Sequence, residues 1–204
     1  MALTSFEEQE INEIKSWWSE NYKTIIAVVV LSLAGSWGWR YWQSYQIGKA
    51  QELSAQYDQI ILSNQAIDLK NIEIDAFAKN NSKTAYAALA LLEKAKLATE
   101  VKDYKLAAAA LQQAISEAPD EIFSSLAAMR LANVQMQLKD MDNALATLNN
   151  QVKDVSLESR KLLLIGDIQA AKGDKTAAKA SYEQAQKTAT PLGQEWLQVR
   201  LNNL

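Results

Sequence analysis

The sequence predicts an all-α protein, with a single N-terminal transmembrane helix followed by an α-solenoid of stacked helix pairs. Three observations predict it. The run Thr24–Trp39 (TIIAVVVLSLAGSWGW) carries no charge and is the most apolar segment of the chain. From Ser44 onward Ala, Leu, Lys, Gln and Glu dominate, all strong helix formers, and no stretch alternates with period two between turn residues. The pattern Asp-x-x-x-Ala recurs at Asp103–Ala107, Asp140–Ala144 and Asp174–Ala178, its alanines 37 and then 34 residues apart. Spacing of that kind marks an internal repeat.

The first 23 residues form an acidic tail with five Glu and two Lys. Ser5-Phe6-Glu7-Glu8 has the spacing of a capping box, and Ile11, Ile14 and Trp18 fall on one helical face. Two readings are open for this tail: an amphipathic helix from about Phe6 to Ser19 lying at a membrane interface, or a disordered acidic tail ending in an aromatic cluster.

Sixteen residues of helix cover about 24 Å, less than the ~30 Å hydrocarbon core. Extension past Arg40 to Trp42 or Ser44 supplies the missing length, because a long Arg side chain reaches back to the headgroups. The span is therefore placed at 24–43. Trp17, Trp18 and Tyr22 precede the run; Trp37, Trp39, Tyr41, Trp42 and Tyr45 lie at or beyond its end. This is the aromatic belt of a membrane span, and Trp17, Trp18, Tyr22, Trp39, Arg40, Tyr41 and Trp42 are the expected interface anchors. A buried core helix is the alternative for so short a run. A cleaved signal peptide would need a short basic leader and a small-residue cleavage site; here the leader is acidic and Trp37 and Trp39 stand where small residues should be. Lys15 and Lys23 on one side balance Arg40 and Lys49 on the other, so charge does not orient the span.

Composition narrows the chemistry. There is no histidine and no cysteine, which leaves no Cys/His zinc site and no Ser-His-Asp or Cys-His pair. Six glycines leave no phosphate loop. Carboxylate pairs such as Glu73 and Asp75 sit on different helix faces. An enzyme is not expected, nor any cofactor or metal. Beyond the tail, 19 basic residues balance 19 acidic ones, giving no footprint for nucleic acid. Absence of Cys suits an oxidising compartment such as a periplasm, although many cytosolic domains also lack it.

After the span, Ser44–Ser63 is expected to continue as helix, with Leu53, Tyr57, Ile60 and Ile61 along one side. A second helix over about Ile67–Lys79 presents Leu69, Ile72 and Phe77. Asn80-Asn81-Ser82 is the clearest break, which makes 44–80 a juxtamembrane helical pair. In 81–204, a large residue follows each repeat alanine by four positions (Leu111, Leu148, Tyr182), and a small one precedes it by twelve (Ala95, Ala132, Gly166). This resembles the tetratricopeptide repeat, whose two antiparallel helices cross closely at small residues. The third copy is the best match, with Gly173 in the turn; the others carry Lys102 and Lys139 there. An ordinary Ala-rich helical bundle is the alternative. Thr190-Pro191 suits an N-cap with Pro at the first helical position, opening a terminal helix whose Trp196, Leu197 and Leu201 would cap the stack.

Order and local matches point further. An acidic tail, Lys15-Ser16-Trp17-Trp18, one apolar span, Gly38-Trp39-Arg40-Tyr41-Trp42, degenerate repeats and a terminal Leu201-Asn202-Asn203-Leu204 resemble the YfgM family of ancillary SecYEG translocon subunits along essentially the whole chain. The resemblance implies a single-pass protein of the bacterial inner membrane with a cytoplasmic N-terminus and a periplasmic repeat domain. It also implies partnership with the SecYEG translocon and with PpiD, a membrane-anchored periplasmic chaperone of prolyl-isomerase type. The implied role is to hand exported chains to periplasmic chaperones. A signalling or assembly adaptor acting through the acidic tail is the alternative.

Superhelical repeats present the first helix of each pair on a concave face. By the repeat alignment that face carries Leu89, Leu92 and Lys96, then Leu126, Met129, Asn133 and Met136, then Leu163 and Asp167, with Arg130 and Arg160 at its edge. An apolar groove with flexible Met side chains suits adaptable contacts. The competing reading is that several of these Leu and Met residues are core between helices.

Overall fold

The computed structural model describes residues 5–204, with side chains from residue 9 onward. The expected capping box at Ser5 and Glu8 lies outside the described side chains. Among the described residues there are nine α-helices and no strand. The chain divides into two compact units, Met1–Leu53 and Ser54–Leu204.

Helix α1 (Ser5–Ile61) contains the one stretch among the described residues that is long and apolar enough to cross a membrane. Its polar groups are silenced locally: the Ser32 hydroxyl donates to the Val28 carbonyl and the Ser36 hydroxyl to that of Ser32, both at 2.8 Å. In an apolar surrounding an unpaired hydroxyl would be costly.

The second unit is a run of helix pairs. Helix α2 (Ile67–Asn80) packs on α3 (Ala85–Glu100). Then come α4 (Tyr104–Glu117), α5 (Glu121–Gln137), α6 (Met141–Gln151), α7 (Glu158–Ala171), α8 (Lys175–Gln186) and α9 (Pro191–Asn202), with a short 3₁₀ turn, Val155–Leu157, before α7. Each helix packs on the next, and α3 also meets α5 and α5 meets α7. Alternate helices in contact are the signature of a solenoid, in which every pair buries its apolar face on its neighbour.

The turn inside each pair is built the same way three times. The amides of Asp103, Asp140 and Asp174 donate five residues back, to Ala98, Gln135 and Gln169, at 2.8–2.9 Å; those of Lys102, Lys139 and Gly173 donate three residues back. This double bond closes the end of the first helix as a Schellman motif. The same aspartates then cap the second helix, accepting from the amides of Leu106, Asn143 and Ala177. Between them the chain must adopt a left-handed conformation. Gly173 does so at φ 86°, but Lys102 and Lys139 do so too, at 63° and 61°. The missing turn glycines therefore leave the turn unchanged and load it with strain of about 1–2 kcal/mol each.

Where paired helices cross, Ala107, Ala144 and Ala178 are fully buried, as are the large residues Leu111, Leu148 and Tyr182. Leu111 and Leu148 are matched by Ala95 and Ala132, whereas the larger Tyr182 is matched by Gly166. A methyl on Gly166 would overlap Cε1 of the tyrosine ring and stand 2.6 Å from Cδ1. The volume removed at one position is the volume added at the other.

Two apolar readings are corrected. In α2 the buried residues are Ile74, Phe77 and Ala78, while Leu69 and Ile72 are exposed. Positions 74, 77 and 78 form an i, i+3, i+4 stripe that a small alanine made inconspicuous. In α9, Leu197 is buried and Leu201 packs partly buried around it, but Trp196 stands 60% exposed. It lies one residue off the inward stripe.

Candidate protein-binding surface

The shared turn geometry sets α3 and α5 side by side, and their exposed edges enclose a hollow of about 310 Å³. Leu92, Ala95, Leu111 and Val134 form its apolar floor; Lys96, Arg130 and Asn133 stand at the rim. The Lys96 ammonium donates to Glu93 at 2.9 Å, and that bond and charge raise its pKa above the ordinary lysine value. It is a fixed cation in a mixed-charge rim. Such a surface can seat an aliphatic side chain and hydrogen-bond the backbone around it.

Leu92, Lys96, Arg130 and Asn133 are thus brought together. The other expected groove residues divide. Leu89 and Leu126 are half-buried on the same helices and border neither hollow described here. Met129 is a correction: it is 4% exposed and packs in a core cluster with Ala128, Ala132, Ala144, Leu148, Val152, Ile165 and Ile168. Met136 lies partly buried against that cluster. A first helix packs on both sides in a solenoid, so apolar period alone cannot separate its concave stripe from its core stripe. On α5 the open stripe runs through Arg130 and Asn133, one residue beyond Met129.

Asp167 lies apart from that hollow. Its Oδ1 accepts from the Tyr182 hydroxyl and from Arg200 Nε, both at 2.8 Å, so it ties α7 to α8 and α9, away from the α3–α5 hollow. Burial, and then the bond to this carboxylate, push the Tyr182 phenol well above its usual range. The same carboxylate raises the Arg200 guanidinium.

Arg160 and Leu163 join a second, larger hollow of about 690 Å³ at the C-terminal end of the stack, bordered by Leu192, Trp196 and Arg200. Sequence reasoning missed this hollow because Trp196 had been assigned to the core. The signal was present: Leu192, Trp196 and Val199 form their own i, i+4, i+7 stripe. In the first unit, Trp17, Trp18, Tyr22, Trp39, Tyr41 and Trp42 are all exposed, as is Arg40. The rings of Trp39 and Trp42 lie 5.2 Å apart.

Residues 15–204 match the family described as tetratricopeptide repeat-like domain. A Haemophilus influenzae protein named ancillary SecYEG translocon subunit is 51% identical over 205 aligned residues covering all of both chains. This chain belongs to that family. Relatives of the same name are 52% identical over the full length of both chains in Aggregatibacter actinomycetemcomitans and 33% identical over 206 residues in Escherichia coli, there covering all of this chain and 99% of the relative. The resemblance to the YfgM family, drawn from tail, span and repeats, is a true one, and so is the expected all-α architecture.

Proposed function

We propose that this protein is a non-enzymatic, membrane-anchored subunit that works beside the SecYEG translocon and links exported chains to periplasmic chaperones. One observation carries the reading: relatives named for that complex match the whole chain, anchor and repeats together. The α3–α5 hollow supports it, with an apolar floor and a rim of adaptable polar groups where an exported segment or a PpiD-type chaperone would dock. In this reading α1 crosses the inner membrane once near residues 24–43. Trp17, Trp18 and Tyr22 sit at the cytoplasmic interface, and Trp39, Arg40, Tyr41 and Trp42 at the periplasmic one.

Photocrosslinking in intact cells tests it, with a probe at Asn133 or Lys96 and a control in the span at Val29. Translocon or chaperone adducts from the hollow are expected. Adducts from Val29 alone would mean that the membrane helix makes the complex by itself.

A second reading has its own observation. Glu10, Glu13, Ile14 and Trp17 shape a shallow hollow of about 290 Å³ on the tail, which would suit an adaptor acting through a basic cytoplasmic partner. Deleting residues 2–20 separates the two: the translocon role retains its partner adducts, and the adaptor role loses its output.

A further inference from the structure

A helix face that no neighbouring repeat covers is normally polar. Helix α9 departs from this. It buries Leu197 and packs Leu201 inward, yet leaves Leu192, Trp196 and Val199 at 65%, 60% and 48% exposure along one stripe. Leu192 and Trp196 of this stripe border the 690 Å³ hollow, whose only charged lining residues are Arg160 and Arg200. The second unit and span together are electrically neutral, so a hollow lined by two cations and no carboxylate is a local feature. Arg200 spends its Nε on Asp167 while its side chain remains 47% exposed. Arg160 is exposed on α7. Trp and Arg are the residues that most often carry binding energy at protein interfaces, and Arg pairs with carboxylates in a bidentate fork.

We propose that this hollow is a second docking site, distinct from the α3–α5 hollow, for an acidic-apolar linear segment of another protein. A leucine or phenylalanine side chain of the segment lies against Trp196 and Leu192, and an Asp or Glu carboxylate next to it pairs with Arg160. Charge complementarity selects this occupant: a basic segment would be repelled by Arg160, and a purely apolar one would leave the Arg160 guanidinium facing a partner that offers it nothing, while Arg200 is already held by Asp167.

The test uses the full chain in detergent micelles and fluorescein-labelled peptides in a Gly/Ser frame, read by anisotropy. The peptides carry Leu-Phe-Glu-Asp, its neutral form Leu-Phe-Gln-Asn, or its basic form Leu-Phe-Lys-Lys. The acidic peptide is expected to bind at least tenfold tighter than the neutral one at low salt, and the advantage should shrink as salt rises. Trp196→Ala should weaken all binding about tenfold. Arg160→Gln should abolish the preference for the acidic form while leaving the neutral peptide unchanged. Both side chains are exposed, and a thermal melt confirms that the variants fold. Asn133→Ala, in the other hollow, should change nothing here, which keeps failure of this site apart from failure of the translocon reading. No measurable binding of the acidic peptide, equal binding of acidic and neutral peptides, or full binding by Trp196→Ala would each overturn the proposal. So would a dimer in sedimentation that Trp196→Ala dissolves, because the stripe would then be covered by a second copy of this chain.

Discussion

The second and third repeats place the same backbone on two different sets of residues. In α5–α6 the crossing pairs Ala132 with Leu148, and the turn forces Lys139 into a left-handed conformation. In α7–α8 the crossing pairs Gly166 with Tyr182, and the turn has Gly173. Both repeats share a polar tie across the crossing: Thr147 donates to Gln135 at 2.9 Å, and Ser181 to Gln169 at 2.7 Å. The difference teaches that the fold needs a conserved sum of volumes and a fixed turn geometry more than it needs particular residues. The glycine-rich solution relieves the turn and admits a ring whose hydroxyl reaches Asp167. The same carboxylate accepts from Arg200 Nε, which ties the third repeat to α9.

The comparison breaks most visibly at the ring. Tyr182→Ala should destabilise the full chain by about 3–5 kcal/mol, the range for emptying a buried aromatic site, measured by denaturant unfolding in detergent. Next comes the shape match. Gly166→Ala should cost about 1–3 kcal/mol through overlap with the ring. Adding Tyr182→Leu, which copies the Ala132–Leu148 pair, should recover much of that loss; a double variant no better than Gly166→Ala would show that the two crossings are not interchangeable.

A smaller effect of opposite sign is expected at the turn. Lys139→Gly should stabilise by about 0.5–1 kcal/mol, because relief of the left-handed strain outweighs the added freedom of the unfolded chain. Gly173→Lys should reverse it.

The last effect is one of pH. Burial and Asp167 raise the Tyr182 phenol in the folded state. Its stabilising contribution is therefore whole below the unfolded value near 10 and is lost as pH climbs from there toward the folded value, because the unfolded state releases the proton first. Tyr57 is raised as well, chiefly by burial, and shifts stability the same way. Unfolding followed from pH 8 to 11 should fall less steeply for Tyr182→Phe than for the parent chain. Equal slopes would remove Asp167 and burial as the cause.

Local chemistry explains which features could be read from the sequence. Asp140 and Asp174 act within a few residues of themselves, as the end of one helix and the cap of the next, so their spacing announced the pairs directly. The buried alanines and the large residues four positions on were equally legible. What escaped was the choice between two apolar stripes on one helix. Met129 and Leu126 look alike in sequence, and only the neighbouring helices decide which is enclosed. On α2, Ile72 outweighed Ile74 by its company, until packing on α3 selected the stripe shared with Phe77. The binding surface suffered in the same way. Leu92, Lys96, Arg130 and Asn133 come together, but Arg160 and Leu163 belong to another hollow, because α9 turns Trp196 toward them.

Between the second and third repeats, the buried Ser125 hydroxyl accepts the amides of Lys153 and Asp154 at 3.1 and 3.2 Å. Those two amides exchange with solvent deuterium only when the loop linking α6 to α7 lifts from α5. Their exchange rates are therefore a built-in gauge of how often neighbouring repeats uncouple, readable without altering a single residue. If a partner bridges the two hollows that flank this joint, its arrival should register there as slowed exchange.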